Sequence, residues 1–255
     1  MKALFTECKE GDLDFYPSAL PEIEVQATRL TLEEAHPDQA TTILSVMVHS
    51  PVGESEMDQL PNLRLITTRS TGFDHIDLAT ASSKAIVVCN IPDYGSRTVA
   101  EHTILLLLAI MRKLPAARVP IDSGQFSLEG LLGFDLFGKT LGVLGTGLIG
   151  GEVARMAQCL GMRTIGFDPQ PSPGKVDQYV TFDALLAESD AVAICCPLNS
   201  QTRHMIGREE FAKMKRGVFI VNTGRGAIID STALLNALDS GQVSALVWMC
   251  LNART

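Results

Sequence analysis

Three glycines in the spacing G-x-G-x-x-G, Gly145, Gly147 and Gly150, are the residues of this 255-residue chain best arranged for chemistry. They lie between an apolar, β-prone run from Thr140 to Leu144 and a helical pattern with Ile149, Val153, Met156 and Leu160 on one face. Glycines there permit a tight turn and close approach to the backbone, and the free N–H groups and positive dipole of a helix start attract phosphate. A second apolar strand, about Arg163 to Phe167, ends on Asp168. That acid lies 18 positions past Gly150, near the spacing of about 20 at which a carboxylate hydrogen-bonds the ribose hydroxyls of NAD. Its charge would repel a 2′-phosphate, and Pro169 and Gln170 follow it rather than an arginine, so NAD is expected over NADP. The competing reading is a plain βαβ unit whose acid caps a loop. Agreement of strand, helix and acid outweighs it.

Two further segments follow strands. In VNTGRG, 221–226, Arg225 could grip a carboxylate through its guanidinium fork, although such an arginine more often makes an ordinary surface contact. In RSTGFDHID, 69–77, Thr71 and Gly72 could turn backbone N–H groups towards an anion. Asp74, His75 and Asp77 have metal-ligand chemistry, but caps and solvated charges at a helix start are commoner, so no metal is expected. His102, in a helix, reads as structural.

These residues need elements to position them. Hydrophobic residues make up 46% and charged ones 20%, the composition of an ordinary globular protein, and the net charge of −8 disfavours nucleic acid and anionic membrane surfaces. The apolar run from Ile104 to Met111 is too short to span a bilayer, and the N-terminus has no signal-peptide pattern. Six cysteines without a C-x-x-C pair read as buried, reduced thiols of a cytoplasmic protein, with Cys195 and Cys196 on opposite faces of a strand. Strands are expected at 3–6, 22–28, 43–49, 63–68 and 85–89, with short helices or turns at 55–60 and 74–82. A long helix over 98–119 should kink or stop at Pro115 or Pro120. Beyond Asp168 the β-α alternation continues, with helices at 181–188, 208–215 and 232–238 and strands at 191–196, 217–221 and 244–248. An α/β protein of two lobes, 1–97 and 98–255, follows.

The segments TRSTGFDHIDL, IPDYGSRTVAEHTILLLLAI, GKTLGVLGTGLIGGEVA with FDP, CCPLNSQTRHMIG and MKRGVFIVNTGRGAIIDSTALLNAL together resemble the D-isomer-specific, NAD-dependent 2-hydroxyacid dehydrogenases over nearly the whole chain. The resemblance implies an oxidoreductase moving hydride between NAD(H) and a small 2-keto or 2-hydroxy acid. It implies a flavodoxin-like substrate lobe, a doubly wound Rossmann lobe for NAD, and a homodimer. By the same resemblance Arg225 is catalytic and grips the keto acid, Thr71 and Gly72 hold its carboxylate, and Tyr94 lines the pocket. Gly145, Thr146, Gly147, Leu148, Ile149, Gly150 and Asp168 would bind the coenzyme, with Cys196, Pro197 and Thr223 along the nicotinamide.

One part of the pattern is missing. The family pairs a proton-carrying histidine with a glutamate downstream of the arginine motif, yet no histidine follows His204 here, and Met249 stands where an aspartate is usual. The nine residues VWMCLNART match nothing in the pattern. The resemblance therefore reads as a C-terminally truncated member, its Rossmann lobe lacking the last strand and terminal helix. A non-catalytic NAD-binding or partner-binding protein, or a non-functional product, is the alternative.

Overall fold

In the computed structural model, which describes residues 1–249, all strand pairs among the described residues are parallel. Contacts divide the chain into a unit of Met1–Tyr94 and a second beginning at Gly95.

The first unit runs β1 (Lys2–Phe5), α1 (Glu10–Ala19), β2 (Glu24–Ala27), α2 (Leu32–Ala35), β3 (Ile43–Val46), α3 (Glu54–Asp58), β4 (Leu65–Thr68), α4 (Leu78–Ser83) and β5 (Val87–Cys89). Its sheet order β2-β1-β3-β4-β5 is the flavodoxin-like arrangement. Period-two alternation sends Leu4, Leu44, Val46 and Ile66 into one core and Ala3 and Phe5 into another. The carboxyl ends of β1, β3 and β4 are tied by Arg69. Its guanidinium donates to the Ser45 carbonyl (3.1 Å), the Ser45 hydroxyl (2.9 Å) and the Thr6 carbonyl, and it lies over the Phe5 and Tyr16 rings.

The second unit runs α5 (Ser96–Met111), α6 (Leu114–Asp122), β6 (Thr140–Leu144), α7 (Leu148–Cys159), β7 (Arg163–Phe167), β8 (Gln178–Tyr179), α8 (Phe182–Glu188), β9 (Ala191–Ile194), α9 (Arg208–Lys213), β10 (Val218–Asn222), α10 (Ser231–Asp239) and β11 (Val243–Trp248). The order β11-β10-β9-β6-β7-β8, counted from β6, is 6-5-4-1-2-3, the doubly wound Rossmann arrangement. Both faces are covered. Leu141, Val143, Ala191, Ala193, Phe219 and Val221 pack with α5 and α7, while Leu144, Val192, Ile194, Val218 and Ile220 pack with α8, α9 and α10. The strand and helix that the resemblance requires beyond β11 fall outside the described residues.

Several expectations need correction. The 98–119 helix is two helices: α5 stops at Met111, Lys113 takes a left-handed conformation (φ 54°), and Pro115 sits in the first turn of α6, where a missing N–H costs nothing. Helices α1 and α2 lay outside the expected elements; α1 contains Pro17 and only half-buries Leu13 and Tyr16 against the Ala3–Phe5 core, a stripe too short to stand out. The thiols are not all buried. Cys89, on the edge strand β5, and Cys159, ending α7, are exposed. Cys195 and Cys196 do join cores on opposite sides of the sheet, and Cys250 lies outside the described residues. Among the described residues no helix is long and apolar enough to cross a membrane, and no group of histidine, cysteine and acidic residues could hold a metal ion.

Asp190 fastens the amino ends of the central strands. It accepts the Thr140 N–H (2.8 Å) and the Lys215 ammonium (3.0 Å). Burial alone would raise its pKa, but these bonds and the charge of Lys215 outweigh it and hold the carboxyl below its ordinary 3.8. A depressed folded-state pKa contributes stability above the unfolded value that is lost as pH falls through the folded one. Asp190→Asn is therefore expected to cost about 1 kcal/mol at pH 7 in urea unfolding, with the deficit shrinking below pH 3.8. An equal deficit at pH 7 and at pH 2.5–3 would contradict this assignment.

Candidate active site

The end of β6, the start of α7 and the end of β9 converge where the strand order reverses, the crevice in which doubly wound sheets bind ligands. Their approach depends on missing side chains. Gly145 has φ +84°, and a Cβ there would lie 2.7 Å from the Cys196 N and Cα. A Cβ on Gly150 would lie 1.9 Å from the Gly145 carbonyl oxygen. At Gly147 the same atom would meet nothing within 4 Å, so that face of the loop is open.

Among the described residues no hydrogen bond takes the N–H of Gly147, Leu148 or Ile149, as the first turn of a helix requires. Thr146 behaves differently. Its N–H and hydroxyl donate to Asp168 Oδ2 (2.7 and 3.2 Å), and the residue is 2% exposed. The carboxylate of Asp168 thus holds the Thr146 amide, whereas those of Gly147, Leu148 and Ile149 have no described partner. Asp168 Oδ1 accepts the Gln170 N–H (2.8 Å), so both its oxygens are oriented by the chain's own amides. An open glycine, unengaged amides and an oriented carboxylate fit a dinucleotide.

Sequence reasoning missed Tyr179. Its hydroxyl meets the Thr146 hydroxyl (2.9 Å), accepts the Ser172 N–H (3.0 Å) and donates to the Ser172 carbonyl (2.9 Å). It belongs to the two-residue strand β8, too short for periodicity to reveal.

Cys195 N–H donates to the Leu144 carbonyl (2.8 Å), joining the end of β9 to the glycine loop. Burial pushes the Cys195 thiol up to about 12 and the Cys196 thiol to about 11, so both stay protonated near neutral pH. Pro197 is exposed, and its carbonyl accepts the Thr202 hydroxyl (2.7 Å). Thr223 is buried, with its hydroxyl 3.1 Å from that of Thr103.

Arg225 follows β10 at the same carboxyl edge and is half-buried. Asn222 shapes its loop by donating to the Arg225 carbonyl (3.0 Å) and accepting the Gly224 N–H (3.0 Å). The arginine also donates to the Gly224 carbonyl (3.3 Å). Asn222 is buried and polar, the signal that could have marked it in VNTGRG.

In the first unit the loop after β4 is held by hydroxyl groups. Thr71 donates to the Ile91 carbonyl (3.1 Å), Asn90 donates to the Thr71 carbonyl (2.8 Å), and Ser70 donates to the Gly72 carbonyl (2.6 Å). No described hydrogen bond takes the Thr71 or Gly72 N–H. Asp77 caps α4, accepting the Ala79 and Thr80 amides (3.0 and 3.1 Å), and the Thr80 hydroxyl leads the causes that lower its pKa. His75 Nε2 lies 3.2 Å from the Thr68 hydroxyl. Tyr94 closes this unit and is 67% exposed.

The family model for the D-isomer specific 2-hydroxyacid dehydrogenase NAD binding domain matches residues 104–248. A 2-hydroxyacid dehydrogenase homolog of Haemophilus influenzae is 35% identical over 240 residues, covering 92% of this chain and 70% of its own length. A D-lactate dehydrogenase of Escherichia coli is 39% identical over 187 residues, covering 72% and 57%. Among solved structures, D-lactate dehydrogenase from Aquifex aeolicus complexed with NAD and lactic acid superposes with a TM-score of 0.93 at 33% identity, over 98% of this chain and 77% of that one.

The close approach at Gly150 sets a testable cost. Gly150→Ala forces the start of α7 away from the Gly145 carbonyl and is expected to destabilise by roughly 1–3 kcal/mol in urea unfolding. It should also abolish the rise in unfolding temperature expected on adding NADH to the parent protein. A variant with parental stability and an unchanged NADH-induced rise would refute the contact.

Proposed function

Since the chain belongs to the D-isomer-specific 2-hydroxyacid dehydrogenase family, we propose that its residues bind NAD(H) together with a small 2-keto or 2-hydroxy acid. NADH, when bound, supplies the hydride that reduces a keto carbon. The observation that carries this reading is the open Gly147 face beside unengaged amides and the oriented Asp168 carboxylate. Gly147, Leu148 and Ile149 donate to the diphosphate, and Asp168 accepts from the ribose hydroxyls. Cys196, Pro197 and Thr223 border the nicotinamide. Arg225 orients the keto acid and polarises its carbonyl oxygen, the atom on which negative charge develops. Thr71 and Gly72 offer amides to the substrate carboxylate, and Tyr94 lines the substrate side.

Reduction also places a proton on that oxygen, which histidine commonly supplies near neutral pH. No histidine follows His204 in these 255 residues, and the family's histidine–glutamate pair is not among them. Taken by themselves, these 255 residues therefore bind coenzyme and acid with slow turnover, and a non-catalytic NAD-binding protein is the second reading. The free thiols support a cytoplasmic setting. Exposed apolar side chains over 114–137, among them Phe126 at 87% and Leu132 at 88%, support a homodimer through the coenzyme unit. Sedimentation of the protein as a monomer at 50 µM would exclude that dimer.

Single-turnover oxidation of NADH with pyruvate, glyoxylate or hydroxypyruvate tests the activity. Reduction about 10²–10⁴-fold slower than in a relative carrying the histidine is expected. Arg225→Gln should weaken the response to keto acid while leaving NADH affinity unchanged. Parental turnover as fast as that relative would overturn the slow-turnover reading, and complete inertness with tight NADH binding would select the non-catalytic one.

A further inference from the structure

Lys175 lies on the connection between β7 and β8, half-buried rather than extended into water. Its ammonium donates to the Gly147 carbonyl, 2.9 Å away, inside the glycine loop. Its stem crosses the first turns of α7, where a Cβ on Gly151 would lie 2.9 Å from Lys175 Cδ. Gly151 is not needed by the G-x-G-x-x-G spacing. The lysine stem is what its missing side chain makes room for.

The connection that presents this lysine is itself anchored. Tyr179 binds both backbone groups of Ser172 and meets the Thr146 hydroxyl, so the 169–175 segment is stitched to the glycine loop. Pro169, Pro171 and Pro173 restrict the backbone of the same run. Little conformational freedom remains to be lost when a ligand meets the ammonium.

The position is unfavourable for a cation unless an anion joins it. A helix start carries partial positive charge, and lysines are stabilised at the opposite end. Among the described residues no carboxylate forms an ion pair with Lys175. Its described hydrogen-bond partner is the carbonyl of the residue whose open face is offered to the coenzyme.

We infer that Lys175 is a coenzyme-binding residue whose ammonium exchanges the Gly147 carbonyl for a phosphoryl oxygen of the bound dinucleotide. The inference rests on the coenzyme reading above and adds one side-chain cation to a cradle of backbone amides. That oxygen belongs either to the diphosphate, which NADH and NADPH share, or to the 2′-phosphate, which only NADPH has.

Calorimetric titration of the whole chain and of Lys175→Met with NADH and NADPH tests it. Equal unfolding temperatures of the two free proteins would establish that the variant is folded. Lys175→Met is expected to bind NADH roughly 5- to 50-fold more weakly, with a shallower dependence of affinity on salt, and Lys175→Arg should restore most of the loss. A loss confined to NADPH also supports the inference and assigns the lysine to the 2′-phosphate. Unchanged affinity for both coenzymes overturns it while leaving the coenzyme reading intact. Failure of the parent protein to bind either coenzyme overturns both.

Discussion

The backbone of α7 begins almost in contact with the carbonyl of Gly145, and the geometry of the proposed coenzyme site follows from that approach. With 1.9 Å between a notional Gly150 Cβ and the Gly145 oxygen, any side chain at Gly150 would push the helix off the strand. Gly145 in turn lies against the Cys196 backbone at the end of β9. The end of β6, the start of α7 and the sequence-distant end of β9 thus close around one turn. The unpaired amides of the α7 start are delivered to the carboxyl edge of the sheet, at the point where its order reverses.

Asp168 links this turn to the rest of the unit. Its two oxygens take the Thr146 and Gln170 amides and the Thr146 hydroxyl. The carboxylate is therefore held in one orientation by its own chain, and Tyr179 extends the network to Ser172. Groups ordered in advance lose little freedom on binding, so more of their interaction energy appears as affinity. Asn222 does the equivalent work at β10 by bracing both sides of the turn that carries Arg225. The thiols of Cys195 and Cys196, kept protonated by burial, add no charge beside the glycine loop.

Much of this was legible in the residues. β6 and β7 occupy the stretches that their apolar runs mark, 140–144 and 163–167, because strands buried on both faces leave continuous hydrophobic runs. Asp230 caps α10 as its type suggests, accepting the Ala233 amide at 2.7 Å. Less legible were elements stabilised by context. α1 offers the core only Leu13 and Tyr16, β8 has two residues, and the break after Met111 depends on a left-handed lysine that no local rule requires. In the site, residue types and spacing pointed to the glycines and Asp168. They did not reveal that Asp168 captures the Thr146 amide, nor that Arg69 ties three strand ends together. Both depend on contacts across 22 to 63 positions of chain, which no local spacing encodes.

The most direct measurement is an NMR titration of the ¹⁵N-labelled chain with NADH, following backbone amides. The amides of Gly147, Leu148 and Ile149 are expected to show the largest saturable shifts and to gain protection from exchange, while the Thr146 amide, already bonded to Asp168, keeps its protection. Saturable binding that leaves the amides of 147–149 unmoved and shifts another surface instead would contradict the glycine loop as the seat of the coenzyme.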